Sequence, residues 1–280
     1  MKLTCVTAAF NCIKSGNCEN LVRCVKSVAQ LKITHEHLIY DGASSDGTAE
    51  LLVDLARITP GLKVVSEPDT GIYNALNKGL CDAKGEWFYV LGADDYIISE
   101  NNLLSAISCG EKQCADVIAA PVYISDDKTQ ILVCNKRIIG SMPYPHQGML
   151  IKTVIARGLH GFDEKFRIAA DYDILLRAML VGVKIVLQME AFAFFCPFGF
   201  SAANKDLSAE NLAIVAKNLG LKKEDAIYYA KKNLLPLGKC LGLLFHKSSA
   251  IKFAAKYYLI RWIANLIGLV RPNGVMVWRR

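Results

Sequence analysis

The 280-residue chain lacks the spacings that mark several large function classes. Its first strand-like run leads into Ala8-Ala9-Phe10-Asn11, which has none of the glycines of a dinucleotide-binding turn or a phosphate-binding loop. A dinucleotide-dependent oxidoreductase and a phosphate-loop NTPase are thereby excluded. A sugar-phosphate nucleotidyltransferase is excluded as well, because no Arg-containing, Gly-rich N-terminal loop is present. No Cys-x-x-Cys pair occurs among the 10 cysteines, although Cys12, Cys18 and Cys24 are evenly spaced. Cys5, Cys134 and Cys196 fall in strand-like runs, where a thiol behaves as a small hydrophobe, so reduced, structural cysteines are expected.

Acid is scarce in one place. Residues 201–280 carry 14 Lys/Arg against 4 Asp/Glu, whereas residues 1–200 have a net charge of −3. A nucleic-acid reader would line one groove with positive charge, so this layout argues against nucleic acid as a partner. It fits a body with a basic tail drawn to anionic lipid. Apolar residues are abundant instead, at 52% of the chain with a mean hydropathy of +0.26. That surplus calls for a large buried sheet or a surface that meets lipid. The run from Lys2 to Phe10 has the look of a short signal peptide, but it ends at Asn11 without a cleavage site. It is read as a first buried strand, and the chain as cytoplasmic.

Strand and helix patterns alternate from the start. Strands are expected at 2–8, His37–Tyr40, Leu62–Ser66 and Trp87–Leu91. Helices are expected where Leu21, Val25 and Val28 recur behind an Asn17 cap, where Leu51, Leu52 and Leu55 recur, and from Gly71 to Asp82. This pitch argues for an α/β, mostly parallel, doubly wound sheet whose ligands bind at the carboxyl ends of its strands. Ala115–Ile124 and Gln130–Ile139 read as paired strands around a Ser125–Lys128 turn, followed by a helix near Asp171–Leu180 and apolar strands over 183–196. From Ser208 the pattern is helical, with Gly220, Pro236 and Gly238 as breaks.

Five stretches carry the residues suited to chemistry. Asp41, past a strand end and followed by Gly42-Ala43-Ser44-Ser45, can accept hydrogen bonds from a nucleobase or ribose, or belong to an ordinary turn. Asp69 reads as a helix cap, with Asn77 and Lys78 crowding polar groups on the helix behind it. Asp94-Asp95 follows a buried strand, and two adjacent carboxylates stay ionised cheaply only beside a cation. Mg²⁺ or Mn²⁺ takes oxygen ligands and needs only one or two carboxylates when a diphosphate completes its shell. Asp171 heads an apolar-periodic helix, as a cap or as a general base for an acceptor hydroxyl. His146, between Pro145 and Gln147, sits in a stiff loop suited to face substrate.

Taken in order, Leu3–Asn11, the Asp41-to-Thr48 turn, Glu67–Gly79, Gly92–Tyr96, His146-Gln147 and Ala170–Asp173 resemble the inverting family 2 glycosyltransferases, in particular the bacterial branch that builds surface polysaccharides. The resemblance spans roughly residues 1–200. It implies an A-type glycosyltransferase fold with a C-terminal helical extension, and a nucleotide-diphosphate-sugar donor (a UDP-, GDP- or dTDP-sugar). It further implies inversion at the anomeric carbon. By the same match Phe10 and Asp41 would touch the nucleobase, Asp94 the ribose or diphosphate, and Asp95 the metal. Ala8, Asp69, Asn77, Lys78 and His146 join the substrate-binding set, and Asp171 is the base of a single in-line displacement. Ala93 and Ala170 stand where the family often has acids, which leaves a non-catalytic nucleotide-sugar- or glycan-binding protein as the rival reading. Phe198–Ser201 resembles the Gly-Gly-x-Ser end of the branch's catalytic domain, so residues 1–200 are read as that domain and 201–280 as a tail.

Residues 248–270 read as a helix that is apolar nearly all round but interrupted by Lys252, Lys256 and Arg261. Those charges count against spanning a bilayer. With Tyr257, Tyr258 and Trp262 they suit a helix lying in a membrane surface, at the inner face, near a glycan or lipid-linked acceptor. Packing on the body or in a homodimer is the alternative.

Overall fold

The computed structural model describes residues 1–124, 130–131, 141–197, 206–222, 224–225, 237–245, 251–252, 255 and 258–259. Phe198–Ser201 and most of the 248–270 stretch lie outside them.

The expected alternation of elements is present. Strands β1 (Leu3–Ala9), β2 (His35–Asp41), β3 (Leu62–Ser66) and β4 (Trp87–Val90) alternate with helices α1 (Cys18–Ala29), α2 (Thr48–Ile58) and α3 (Ile72–Asp82). β1 pairs in parallel with β2 on one side and β4 on the other, and β2 with β3. A strand flanked on both sides and covered on both faces is buried almost throughout: six of the seven residues of β1 are buried, and its two polar side chains, Thr4 and Thr7, are hydrogen-bonded. Each helix supplies a stripe at helical spacing. Leu21, Cys24, Val25 and Val28 do so in α1, and Leu52 and Leu55 in α2. Gly79 lets α3 lie directly on β1, since a Cβ there would run into Val6.

The second half adds β5 (Tyr96–Ile97), α4 (Glu100–Lys112), β6 (Val117–Ala119), β7 (Val122–Tyr123), β8 (Gln130–Ile131), β9 (Met149–Lys152), α5 (Thr153–Gly158), α6 (Ala170–Val181), β10 (Ile185–Leu187), β11 (Ala193–Phe194) and α7 (Leu207–Leu219). The main sheet runs β10-β6-β9-β4-β1-β2-β3, in which only β9 is antiparallel to its neighbours. A second sheet runs β5-β11-β7-β8. The chain therefore leaves β1 toward β2 and β3, then crosses back to β4 on the other side. The crevice between the carboxyl ends of β1 and β4 is the switch point at which such sheets bind ligands.

Several local expectations change. The single strand expected over Ala115–Ile124 is divided between the two sheets, because Pro121 has no N–H to continue a ladder. The pairing with the 130s survives as Val122 opposite Ile131. Asn17 stands at the N-cap position of α1, but its side chain makes no capping bond. Asp69 does not cap α3 directly. Gly71 is the N-cap, and Asp69 Oδ1 accepts from its N–H at 2.9 Å in a turn that precedes the helix. Asp171 likewise follows the N-cap Ala169 of α6 by two residues. Gly220 does end α7, in a left-handed conformation at φ +61°, whereas Gly238 lies inside the helix Leu237–Leu244. Ile214, Val215 and Leu219 of α7 enter the same core as α3, α6 and the sheet. Among the described residues no helix is long and apolar enough to cross a membrane.

Candidate active site

The carboxyl ends of the strands open onto a cleft of about 860 Å³. Of the residues singled out in the sequence, Ala8, Phe10, Asp69, Asp94, Asp95, His146 and Asp171 line it. Asp41, Asn77 and Lys78 do not. They hold the wall from behind.

One wall is built around Phe10, which follows β1 and is 63% exposed although it is a large aromatic. It stands beside Gly42 and Asp69. A Cβ on Gly42 would stand 3.2 Å from the Phe10 ring and 2.8 Å from Asp69 Oδ2, so glycine allows the three to close up. Beneath them the Asp41 carboxylate is buried and accepts from Ser44 N–H at 2.9 Å, Ser66 Oγ at 2.6 Å and Ser44 Oγ. Two serines and a main-chain donor thus satisfy it without solvent, and it fastens the end of β2 to that of β3. Lys78 pairs with Glu67 at 2.7 Å and donates to the Pro68 carbonyl, which ties α3 to the loop carrying Asp69. Asn77 clasps Phe162 by both main-chain groups, at 2.8 and 2.9 Å, and also donates to Glu164.

The floor is the turn Gly92-Ala93-Asp94-Asp95 after β4. A Cβ on Gly92 would collide with Asp95 Oδ2 and stand 3.0 Å from Asp94 Oδ1. Both carboxylates therefore fold back over the same glycine. Asp95 is buried, accepting from Gln147 Nε2 and from the Cys196 N–H, each at 2.8 Å. Burial, then the neighbouring Asp94, pushes its pKa up to about 6. Burial raises Asp94 too, with His146 opposing. Two carboxyls held together at this cost fit a divalent cation, which removes the repulsion. Among the described residues no three His, Cys, Asp or Glu side chains gather to hold one alone, so substrate oxygens and water would have to complete its shell.

A buried network supports that floor from below. Thr7 of β1 donates its hydroxyl to the Leu91 carbonyl at 2.9 Å, immediately before the acid turn, and lies 2.9 Å from His37 Nε2. With its one proton committed, Thr7 accepts from His37, which fixes a neutral ring protonated on Nε2. His37 Nδ1 then faces the interior with no partner.

The far wall is α6. Asp171 Oδ1 accepts from the Tyr172 N–H at 2.8 Å and lies 3.4 Å from the Tyr73 hydroxyl, while its Oδ2 lies 3.4 Å from His146 Nδ1. The Tyr73 hydroxyl donates principally to the Ile168 carbonyl, at 2.7 Å. Burial disfavours the His146 cation. The hydrogen bond and charge of Asp171, with Asp95 and Asp94 behind, outweigh it and raise the pKa. His146 thus contacts Asp171 and feels the charge of the acid turn. Sequence reasoning missed Tyr73, hidden in the apolar stripe of α3, and the bond of Gln147 to Asp95. Adjacency to His146 was the only available signal for Gln147.

Known proteins resemble this chain in sequence and in fold. A family model described as Glycosyl transferase family 2 matches residues 4–168. An uncharacterized glycosyltransferase of Mycobacterium tuberculosis is 27% identical over 193 residues, covering 65% of this chain and 71% of the relative. The hyaluronan synthase of Pasteurella multocida is 27% identical over 237 residues, which are 79% of this chain but 22% of that protein. Among solved structures, S. aureus TarS 1-349 in complex with UDP-GlcNAc superposes with a TM-score of 0.63 at 18% identity, covering 96% of this chain and 80% of TarS 1-349. The mannosyltransferase PcManGT from Pyrobaculum calidifontis, in complex with GDP-Man and Mn²⁺, superposes with a TM-score of 0.60 at 15% identity, covering 97% of this chain and 81% of that one. The fold is the A-type glycosyltransferase fold.

Proposed function

Since the chain belongs to glycosyl transferase family 2, we propose that it transfers a sugar, with inversion, from a nucleotide-diphosphate donor to an acceptor hydroxyl. The observation that carries this reading is the cleft itself. An exposed aromatic at the end of β1, a paired acid turn at the end of β4 and a carboxylate on α6 line one cavity.

Each group has a place in the reaction. Phe10 offers its face to the nucleobase, and Asp69 closes over it toward the ribose. Asp94 and Asp95 face the diphosphate. When bound there, Mg²⁺ or Mn²⁺ supplies charge neutralisation for the departing nucleoside diphosphate. His146, held toward its cationic form by three carboxylates, adds positive charge on the same side. Asp171, on the opposite wall, accepts the proton of the acceptor hydroxyl as its oxygen attacks the anomeric carbon and the bond to the diphosphate breaks. The Tyr172 N–H holds one carboxylate oxygen, and the other lies on the cleft side, 3.4 Å from His146 Nδ1. The acceptor is a glycan or a lipid-linked glycan. The tail packs Cys240, Ile251 and Tyr258 into the core of the body, as its alternative reading expected. Its basic charge, with Phe245 88% exposed after the helix Leu237–Leu244, favours work at an anionic membrane surface. Retention on anionic liposomes at low salt, lost at high salt, checks that part.

The catalytic reading is tested by nucleoside-diphosphate release from a panel of UDP-, GDP- and dTDP-sugars with and without Mn²⁺. Metal-dependent release with at least one donor, abolished by Asp95→Ala, supports it. No release from any donor, together with thermal stabilisation by a nucleotide sugar, would assign a binding protein instead.

A further inference from the structure

From the contacts of α7 we infer that Glu210 is a positioning residue for Asp171, and so that a helix C-terminal to residue 200 completes the catalytic wall. This rests on the reading of Asp171 as the base.

The segment that leads into α6 presents three consecutive main-chain donors to one side chain. Glu210 Oε1 accepts from the Arg167 N–H at 2.8 Å, and Oε2 accepts from the Ile168 and Ala169 N–H groups, each at 2.9 Å. Ala169 is the N-cap of α6, and Asp171 follows two residues later. In a capping box, an acid inside the helix reaches back to the N-cap N–H. Here an acid on another helix does so and takes the two preceding donors as well. No side chain of α6's own is placed for the task, because the third helical position, from which a capping-box acid would reach back, is Tyr172.

On the opposite side of the same segment, the Tyr73 hydroxyl holds the Ile168 carbonyl and reaches Asp171. The segment is therefore gripped from two sides, by α3 through its C=O and by α7 through its N–H groups. A second tie keeps the two helices in register. Asp173 of α6 is fully buried and accepts from Lys217 Nζ at 3.1 Å and Asn218 Nδ2 at 2.8 Å, both on α7. Tilting the start of α6, which carries Asp171, toward or away from the cleft would break these bonds. The main chain of Arg167, a residue that lines the cleft, is held by the same carboxylate. The family match ends at residue 168, so both Asp171 and its brace lie beyond it.

The test compares Glu210→Gln, Glu210→Ala, Asp171→Asn and the double variant Glu210→Gln/Asp171→Asn, with donor turnover, donor KM, melting temperature and amide exchange at 167–169 as readouts. Glutamine keeps one acceptor oxygen and loses the other, so kcat is expected to fall roughly tenfold. Alanine approaches the roughly 100-fold cost of a misplacement of about 1 Å. Donor KM is expected to stay within about twofold, because the nucleotide wall is untouched, and amide protection at 168 and 169 to drop. In the Asp171→Asn background Glu210→Gln should slow turnover no further, since the group it positions is gone. Wild-type kcat in Glu210→Gln, or an equal loss with and without Asp171, overturns the inference. Asp171→Asn with wild-type turnover overturns the base assignment instead, and a Glu210→Gln loss seen in that case counts against positioning. Should Glu210→Gln not fold, Glu210→Asp serves the same comparison.

Discussion

Lowering the pH should destabilise this protein through one buried imidazole. His37 is 3% exposed, donates from Nε2 to Thr7 and leaves Nδ1 without a partner. Charging the ring would place a new N–H among apolar atoms, so burial, with a smaller contribution from His35, pulls the pKa down to about 3. An unfolded histidine titrates near 6.5. Between about pH 6.5 and 3 the unfolded chain takes up a proton that the native state refuses, so native stability falls as pH falls. The slope is about 1.4 kcal/mol per pH unit at full effect, and above about pH 6.5 the effect vanishes. Lowering the pH from 7 to 4.5 should therefore cost roughly 2–3 kcal/mol from this residue alone, a large part of a typical 5–15 kcal/mol. Asp95 works in the opposite direction, because its pKa is raised to about 6 and its native form takes up protons first. The two are separated by urea unfolding of wild type and His37→Gln at pH 7, 6, 5 and 4.5. The stability difference between them should shrink or reverse as pH falls. Parallel pH profiles would refute the argument, as would an imidazole that titrates near pH 6 in the native state by NMR.

Other substitutions follow from the cleft. Gly92→Ala should displace both carboxylates of the acid turn, lower kcat by about 100-fold and lower the melting temperature as well, because the buried bonds of Asp95 to Gln147 and Cys196 are disturbed. Phe10→Ala should raise donor KM, because stacking on a base is worth about 1–3 kcal/mol, and leave kcat nearly unchanged; an unaltered KM would move the base elsewhere. Gly161→Ala should destabilise the fold by roughly 1–3 kcal/mol in thermal or urea unfolding, since its φ is +65° and a Cβ would strike Asn77 Oδ1, the clasp on Phe162.

The half of the molecule nearest the N-terminus was legible in the sequence because its signals are local. Buried strands such as β1 read as mostly apolar runs, and acids such as Asp69 and Asp94-Asp95 fall within a few residues of strand ends. Periodicity does not report where a side chain ends up once it has a protein partner. Asn77, Lys78 and Asp41 have the composition of ligand-binding residues, and each is bound to the protein behind the wall. The second half was harder to read. Pro121 divides what resembles one strand between two sheets, and β9 inserts antiparallel between β4 and β6 from a distant position. Glu210 was invisible for the same reason. Its partners lie some 40 residues upstream and are main-chain groups, which no side-chain motif announces.

The central claim is inverting transfer with Asp171 as the base, and water can stand in for the acceptor in testing it. With the donor identified by nucleoside-diphosphate release, the configuration of the first-formed free sugar is read by NMR before mutarotation, for wild type and for Asp171→Asn. Inversion is predicted for wild type, with the rate reduced by about 10²–10⁴-fold in the variant. A first-formed sugar that retains the donor's configuration, or an Asp171→Asn protein that hydrolyses the donor at the wild-type rate, would contradict it.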